Sequence, residues 1–144
     1  MANVIYNGYK GKIGTINWAD NSGVTIRAML VTNSYVVDID AHLNKSDIDA
    51  LSVEVSGTGY VANGELIEGR VINIDNTTDD AKFNATDVSW ASSTITAHGA
   101  VVYFDTTNPN TSTLIAYIDF GADKISTDGD FVLQWSGDGV YKIA

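Results

Sequence analysis

The chain is predicted to be all-β, an antiparallel β-sandwich or jelly-roll-like barrel with at most one short helix. Three observations predict it. Ile, Val and Thr number 14 each against 6 Leu and 3 Glu, so side chains that suit a pleated surface far outnumber straight-chain helix formers. Short apolar stretches alternate at period two between frequent turn signals. Asp, Asn, Ser, Thr and Gly are abundant enough to supply a tight connection after each of them. At 144 residues the chain has the length of one domain able to bury its own core.

The elements follow in order. Residues 1–13 are set apart as an N-terminal arm or edge strand, because Tyr6 and Tyr9 alternate with Asn, Gly and Lys without one sustained period. Val4, Ile5, Tyr6, Tyr9 and Lys10 are the candidate interface residues of that arm. Residues 14–144 form a single β-sandwich domain. Val24 to Thr32 alternates cleanly after the Asn21-Ser22-Gly23 turn, and Ser52 to Ser56 does so with Val53 and Val55 inward. Between them, Asn44 to Leu51 is the one passage suited to a short helix, capped by Asn44 or Ser46 and docked by Ile48 and Leu51.

The second half predicts packed strands over Glu65 to Asp75, Ala81 to Ala85, Val88 to Trp90, Thr94 to Thr96, Ala100 to Phe104, Leu114 to Phe120, Phe131 to Trp135 and Val140 to Ile143. Ala100 to Phe104 and Leu114 to Phe120 are apolar on both faces, which places them mid-sheet. The Asp105 to Thr113 segment between them holds the one proline, Pro109, and predicts a hairpin with an exposed, mobile tip. The period-two spacing of Val88 with Trp90, and of Phe131 and Leu133 with Trp135, marks both tryptophans as core. Trp18, beside a turn, is the one tryptophan expected to face water. Together with Asn108, Pro109 and Asn110 it makes a possible exposed contact tip.

Charge and composition narrow the function. Lys and Arg number 8 against 18 Asp and Glu, a net charge of −10, which disfavours a grip on nucleic-acid phosphates or anionic membranes. No nucleic-acid or membrane partner is therefore expected. The absence of cysteine excludes disulfides, thiolate metal sites and a thiol nucleophile. The opening Met1 to Gly8 lacks the cationic head and apolar run of a signal peptide, so synthesis in the cytoplasm is expected. The four N-x-Ser/Thr sequons at Asn44, Asn76, Asn84 and Asn110 then reflect composition.

No reactive constellation stands out. His42 and His98 are the only imidazoles, no G-x-S-x-G occurs, and two histidines without an H-x-x-x-H spacing make a poor zinc site. The acidic groups Asp38/Asp40, Asp47/Asp49, Asp75/Asp79/Asp80 and Asp128/Asp130 do not match a calcium loop, the Asp128 segment coming nearest. A glycosidase would need two carboxyls facing each other in a cleft. No catalytic, metal or cofactor-binding residue is assigned, and the chain is not expected to be an enzyme.

Several segments together resemble a known family. They are Leu30 to Tyr35 running into Asp38 to His42, Glu54 to Tyr60, Ala81 to Thr96 with Asp87-Val88-Ser89-Trp90, and Leu114 to Gly121. From Gly14 onward the chain resembles small virion structural proteins of tailed bacteriophages. The opening departs from those relatives, which carry a Leu/Lys-rich, helix-like start where this chain has Tyr6-Asn7-Gly8-Tyr9-Lys10. The resemblance implies a head decoration or cement protein on the outer capsid surface, made in the host cytoplasm. Its partners would be the major capsid protein and copies of itself in a homotrimer. The alternative it leaves open is a tail or fibre component that binds host-surface carbohydrate.

Overall fold

A computed structural model describes residues 3–144. Ten elements alternate with turns: β1 (Asn3–Ile5), α1 (Asn7–Lys10), β2 (Ile26–Val31), α2 (Lys45–Asp49), β3 (Glu65–Leu66), β4 (Val71–Asp75), β5 (Asp80–Asn84), β6 (Val88–Phe104), β7 (Leu114–Leu133) and β8 (Tyr141–Ile143). They build two antiparallel sheets, one of five strands in the order β1-β7-β6-β2-β3 and one of three in the order β4-β5-β8. The fold is all-β with two short helices. The first of them, α1, is a single turn in the N-terminal stretch where the sequence predicted none.

The middle of the five-stranded sheet is buried on both faces, and the period of two explains how. Ile26, Ala28, Leu30, Ala100 and Val102 point into one cluster with Trp18, Trp90 and Tyr141. Their neighbours Met29, Val31, Val101 and Tyr103 point into the other, with Tyr6, Tyr35, Ile48 and Tyr117. The three-stranded sheet closes the first cluster, where Phe83 stacks on Tyr141 with centroids 4.4 Å apart and Trp18 meets both edge-on. The helix α2 and the Tyr35 loop close the second.

Several expected strand boundaries differ. Val88 to Phe104 and Leu114 to Leu133 are continuous strands, paired from Tyr103 opposite Leu114 to Val88 opposite Leu133. What reads as a turn in sequence is a bulge in the ladder: Ser92, Gly121 and Asp128 carry φ of 49°, 77° and 48° at the points where the register shifts. Conversely, Ser52 to Ser56 forms no strand of its own and touches the sheet through one bridge, Val31 to Glu54. Glu65 to Asp75 divides into β3 and β4, one in each sheet.

The divide falls at Arg70. Its side chain is buried and donates to four main-chain carbonyls: Nε to Trp18 O at 2.8 Å, Nη1 to Ile67 O at 2.7 Å, and Nη2 to Asp20 O at 2.6 Å and to Val24 O. Asn21 adds a reciprocal pair, accepting from the Arg70 N–H at 2.9 Å and donating to its carbonyl at 3.1 Å. Burial lowers the guanidinium pKa, opposed by Asp20 and Glu68.

All seven tyrosines are shifted upward, and burial is the first cause in each. Tyr35 and Tyr117 reach about 12. Unfolded tyrosines ionise near about 10, so above that pH the unfolded chain gives up protons that the folded chain keeps. The stabilisation is complete below about pH 10 and is lost as pH climbs through the folded values.

Two outcomes follow from this packing. Arg70→Met leaves four carbonyls, two of them buried and two half-buried, without their donor and should lower the unfolding free energy by about 3–5 kcal/mol in urea titrations, whereas a loss under about 1 kcal/mol would show the cage to be dispensable. In an alkaline titration, tyrosinate absorbance should rise together with the loss of near-UV circular dichroism. Stepwise ionisation of a folded chain from about pH 10 would contradict the burial argument.

Candidate functional site

A cleft of about 580 Å³ lies behind the β6–β7 tip. Its walls come from four places in the chain. Strand β2 supplies Arg27, helix α2 supplies Lys45 and Asp49, the 61–64 loop supplies main chain, and the tip connection supplies Asp105, Thr107, Pro109 and Ser112. Tyr103 forms the floor. Arg27 Nε donates to Asp105 Oδ2 at 2.7 Å, and Lys45 Nζ meets Asp49 at 2.8 Å and lies 5.8 Å from the centre of the Tyr103 ring. The Tyr103 hydroxyl donates to Asn63 O at 2.6 Å, and burial, then Asp105, pushes its pKa up.

Local sequence explains this placement. Asn44 stands at the N-cap of α2, and Asp47 accepts from the N–H groups of Leu43 and Asn44, both at 2.9 Å. Ile48 docks the helix in the core as expected, while Leu51 is exposed. At the 61–64 turn a glycine is required: Gly64 has φ of 84°, and a Cβ there would fall 1.9 Å from Ala28 O.

The tip residues Asn108, Pro109 and Asn110 are exposed, and the tip is tied down. Asn108 O accepts from the N–H groups of Thr111 and Ser112, each at 3.0 Å, and Pro109 O accepts from the Ser46 N–H at 3.0 Å. Asp105 Oδ1 takes the Thr107 N–H at 2.8 Å while its other oxygen holds Arg27. The cleft therefore has a fixed outline whose charges are already paired. Such an outline suits recognition of a surface by shape.

Trp18 does not join the tip. It is 1% exposed, its indole N–H donates to Asn84 O at 3.0 Å, and the expectation that it faces water is corrected. The nearby turn is polar, but Arg70 draws the Trp18 carbonyl inward and the ring with it. No aromatic side chain among the described residues is exposed, so there is no stacking platform for a sugar ring.

The N-terminal candidates are also redistributed. Residues 1 and 2 lie outside the described residues. Val4 and Ile5 are half-buried in β1, an edge strand on Tyr117 and Ala116 of β7. Tyr6 and Tyr9 are fully buried, their hydroxyls 2.7 Å from that of Tyr35 and 2.5 Å from that of Tyr141. These two belong to the protein's own core, so they are not interface residues, and of the two readings of this stretch, arm or edge strand, it is the edge strand that the structure has. Lys10 is exposed and donates to Asn7 Oδ1 at 3.0 Å.

The other candidate groups serve the fold. His42 Nδ1 lies 2.9 Å from the Tyr35 hydroxyl. His98 sits where β7 bulges, with Nδ1 2.8 Å from Asp123 and Nε2 3.6 Å from Asp119, the two residues at the base of the bulge. Asp38 and Asp75 accept main-chain N–H groups in their own turns, chiefly from Ala41 and Thr77, and are held below the usual carboxylate range. Among the described residues no three His, Asp or Glu are arranged to hold a metal ion. The cleft residues Arg27, Lys45 and Tyr103 had no signal in sequence, since each sits in an ordinary strand or helix context.

No family model matches this chain, and no curated protein or solved structure matches it.

Removing residues 2–12 strips β1 and the two buried tyrosines. The truncated chain should melt at least about 10 °C lower or fail to fold, since each buried aromatic contributes about 3–5 kcal/mol. An unchanged melting curve would restore the free-arm picture.

Proposed function

We propose that this chain is a structural virion protein of a tailed bacteriophage, a decoration or cement protein on the outer capsid surface that binds and stabilises the lattice of the major capsid protein. The resemblance from Gly14 onward suggests the setting. The observation that carries the adhesive role is strand β4. Val71, Ile72 and Ile74 are all exposed, Ile74 at 74%, on the outer strand of the three-stranded sheet. An apolar strand exposed on both faces and along one edge is unstable as a free surface and suits a partner that covers it. Ile143 of β8 extends the same apolar face.

The tethered tip and its charge-paired cleft fit a fixed seat among neighbouring subunits, and a homotrimer would repeat each contact three times so that avidity could add to modest affinity. The net charge of −10 agrees with a partner other than nucleic acid or an anionic membrane. The alternative, a tail or fibre component that touches host carbohydrate at Asn108 to Asn110, draws no support from an aromatic platform at that tip.

Particles stripped of this protein and incubated with the purified chain should take it up to a copy number comparable with that of capsid subunits. Ile74→Asp should weaken uptake at least about tenfold with an unchanged melting temperature. A handful of copies per particle would favour a tail position, and cleavage of polysaccharide by the purified chain would overturn both structural roles.

A further inference from the structure

The outer edge of β7 changes at Ile118. From Ala116 to Ile118 it is covered by β1; beyond that, its described main chain pairs only with β6 on the inner side. A cleft of about 500 Å³ runs beside the uncovered part. Its lining is diagnostic. Phe131 and Leu133 reach it from the buried side of β7, while Ile125 and Val132, 69% and 53% exposed, reach it from the outer side. Residues from opposite faces of one strand can line the same cleft only along the strand's edge. Ile118 and Phe120 close the end nearest β1.

We propose that the β7 edge from Lys124 to Leu133 accepts, as an added strand, an extended segment of a partner protein in which apolar and basic side chains alternate. The apolar half of that chemistry comes from Ile125, Phe131, Val132 and Leu133. The basic half comes from charge: Asp128 and Asp130 lie on this stretch against Lys124, and Asp119 and Asp123, held by His98, lie just before it. Charges on an open edge ordinarily guard it against pairing between like copies, and an edge-to-edge pair here would bring Asp128 and Asp130 of two copies together. A cationic strand meets no such penalty and is steered toward the edge. The edge already holds one added strand, β1, and the partner segment extends that row. The inference does not depend on the proposed decoration role, whose adhesive surface rests on β4.

The test uses the full chain and a short synthetic peptide of alternating valine and lysine, with a valine–glutamate peptide as control. On binding the lysine peptide, amide hydrogen exchange should slow between residues 124 and 133, and the affinity should fall as salt is raised. Ile125→Lys with Val132→Lys should weaken binding at least about tenfold. Both side chains are largely exposed, and a melting curve checks the fold; should the double variant unfold, Ile125→Ser alone is judged by the same criterion. Equal binding of the glutamate peptide, protection elsewhere, or unaltered binding by the variant would overturn the proposal. Concentration-dependent protection of the same amides without peptide would overturn it in favour of a second copy of the chain.

Discussion

The arrangement of this protein depends on one buried cation satisfied by main chain. Arg70 lies between β3 of one sheet and β4 of the other, so the path of the chain from sheet to sheet passes through it. Four of its five N–H directions end on carbonyls from Trp18, Asp20, Val24 and Ile67. A lysine could not meet them, because its three donors radiate from one atom while the guanidinium spreads its donors in a plane. The cage fixes the 18–24 loop against the 67–70 crossover, and with it the Trp18 ring that spans Phe83 and Tyr141. The seam between the sheets is thus set by a polar device, and the apolar packing follows from its position.

Burying the central sheet on both faces has a cost that the tyrosines answer. A sheet covered on one side by another sheet and on the other by loops must enclose polar connections. The structure does this with paired hydroxyls, Tyr6 with Tyr35 and Tyr9 with Tyr141, each joining the N-terminal stretch to a distant part of the chain. A phenolic hydroxyl can donate to one partner and accept from another, so it can end a polar path inside an apolar cluster without leaving an unpaired group. This is why the N-terminal stretch, weakly patterned in sequence, is integral to the fold.

How much of this was legible in sequence depends on whether the signal was local. The two-sided burial of Ala100 to Phe104 and Leu114 to Phe120 was legible, because an apolar run without alternation has few other homes. The α2 helix was legible through Asn44, Asp47 and Ile48. The bulges were not: Asp128-Gly129 and Ser92-Ser93 carry the residue types of a turn, and only the pairing partner decides whether a positive φ reverses a strand or kinks it. Trp18 was misplaced for a related reason, since its neighbours are polar and its burial is dictated by Arg70, 52 positions away. The cleft residues are legible only once the tip, α2 and the 61–64 turn are brought together in space.

The long β6–β7 hairpin connects these points. Where the two strands are flanked by β1 and β2, the sheet is complete and its side chains are buried on both faces. Past Gly99 and Asp119, β6 advances two residues while β7 advances five, from Asp119 to Lys124, and the ladder continues as a two-stranded ribbon. A ribbon has twice the edge of a sheet for the same number of paired residues, so its outer groups must be left to solvent or shared with another chain. His98, held by Asp119 and Asp123, closes the bulge at the start of that ribbon, whose inner face of Val88, Trp90, Ile95, Phe131 and Leu133 stays packed in the core while its outer edge is open. His98 and its two carboxylates are thus placed to hold the bulge at which the covered sheet gives way to the open edge.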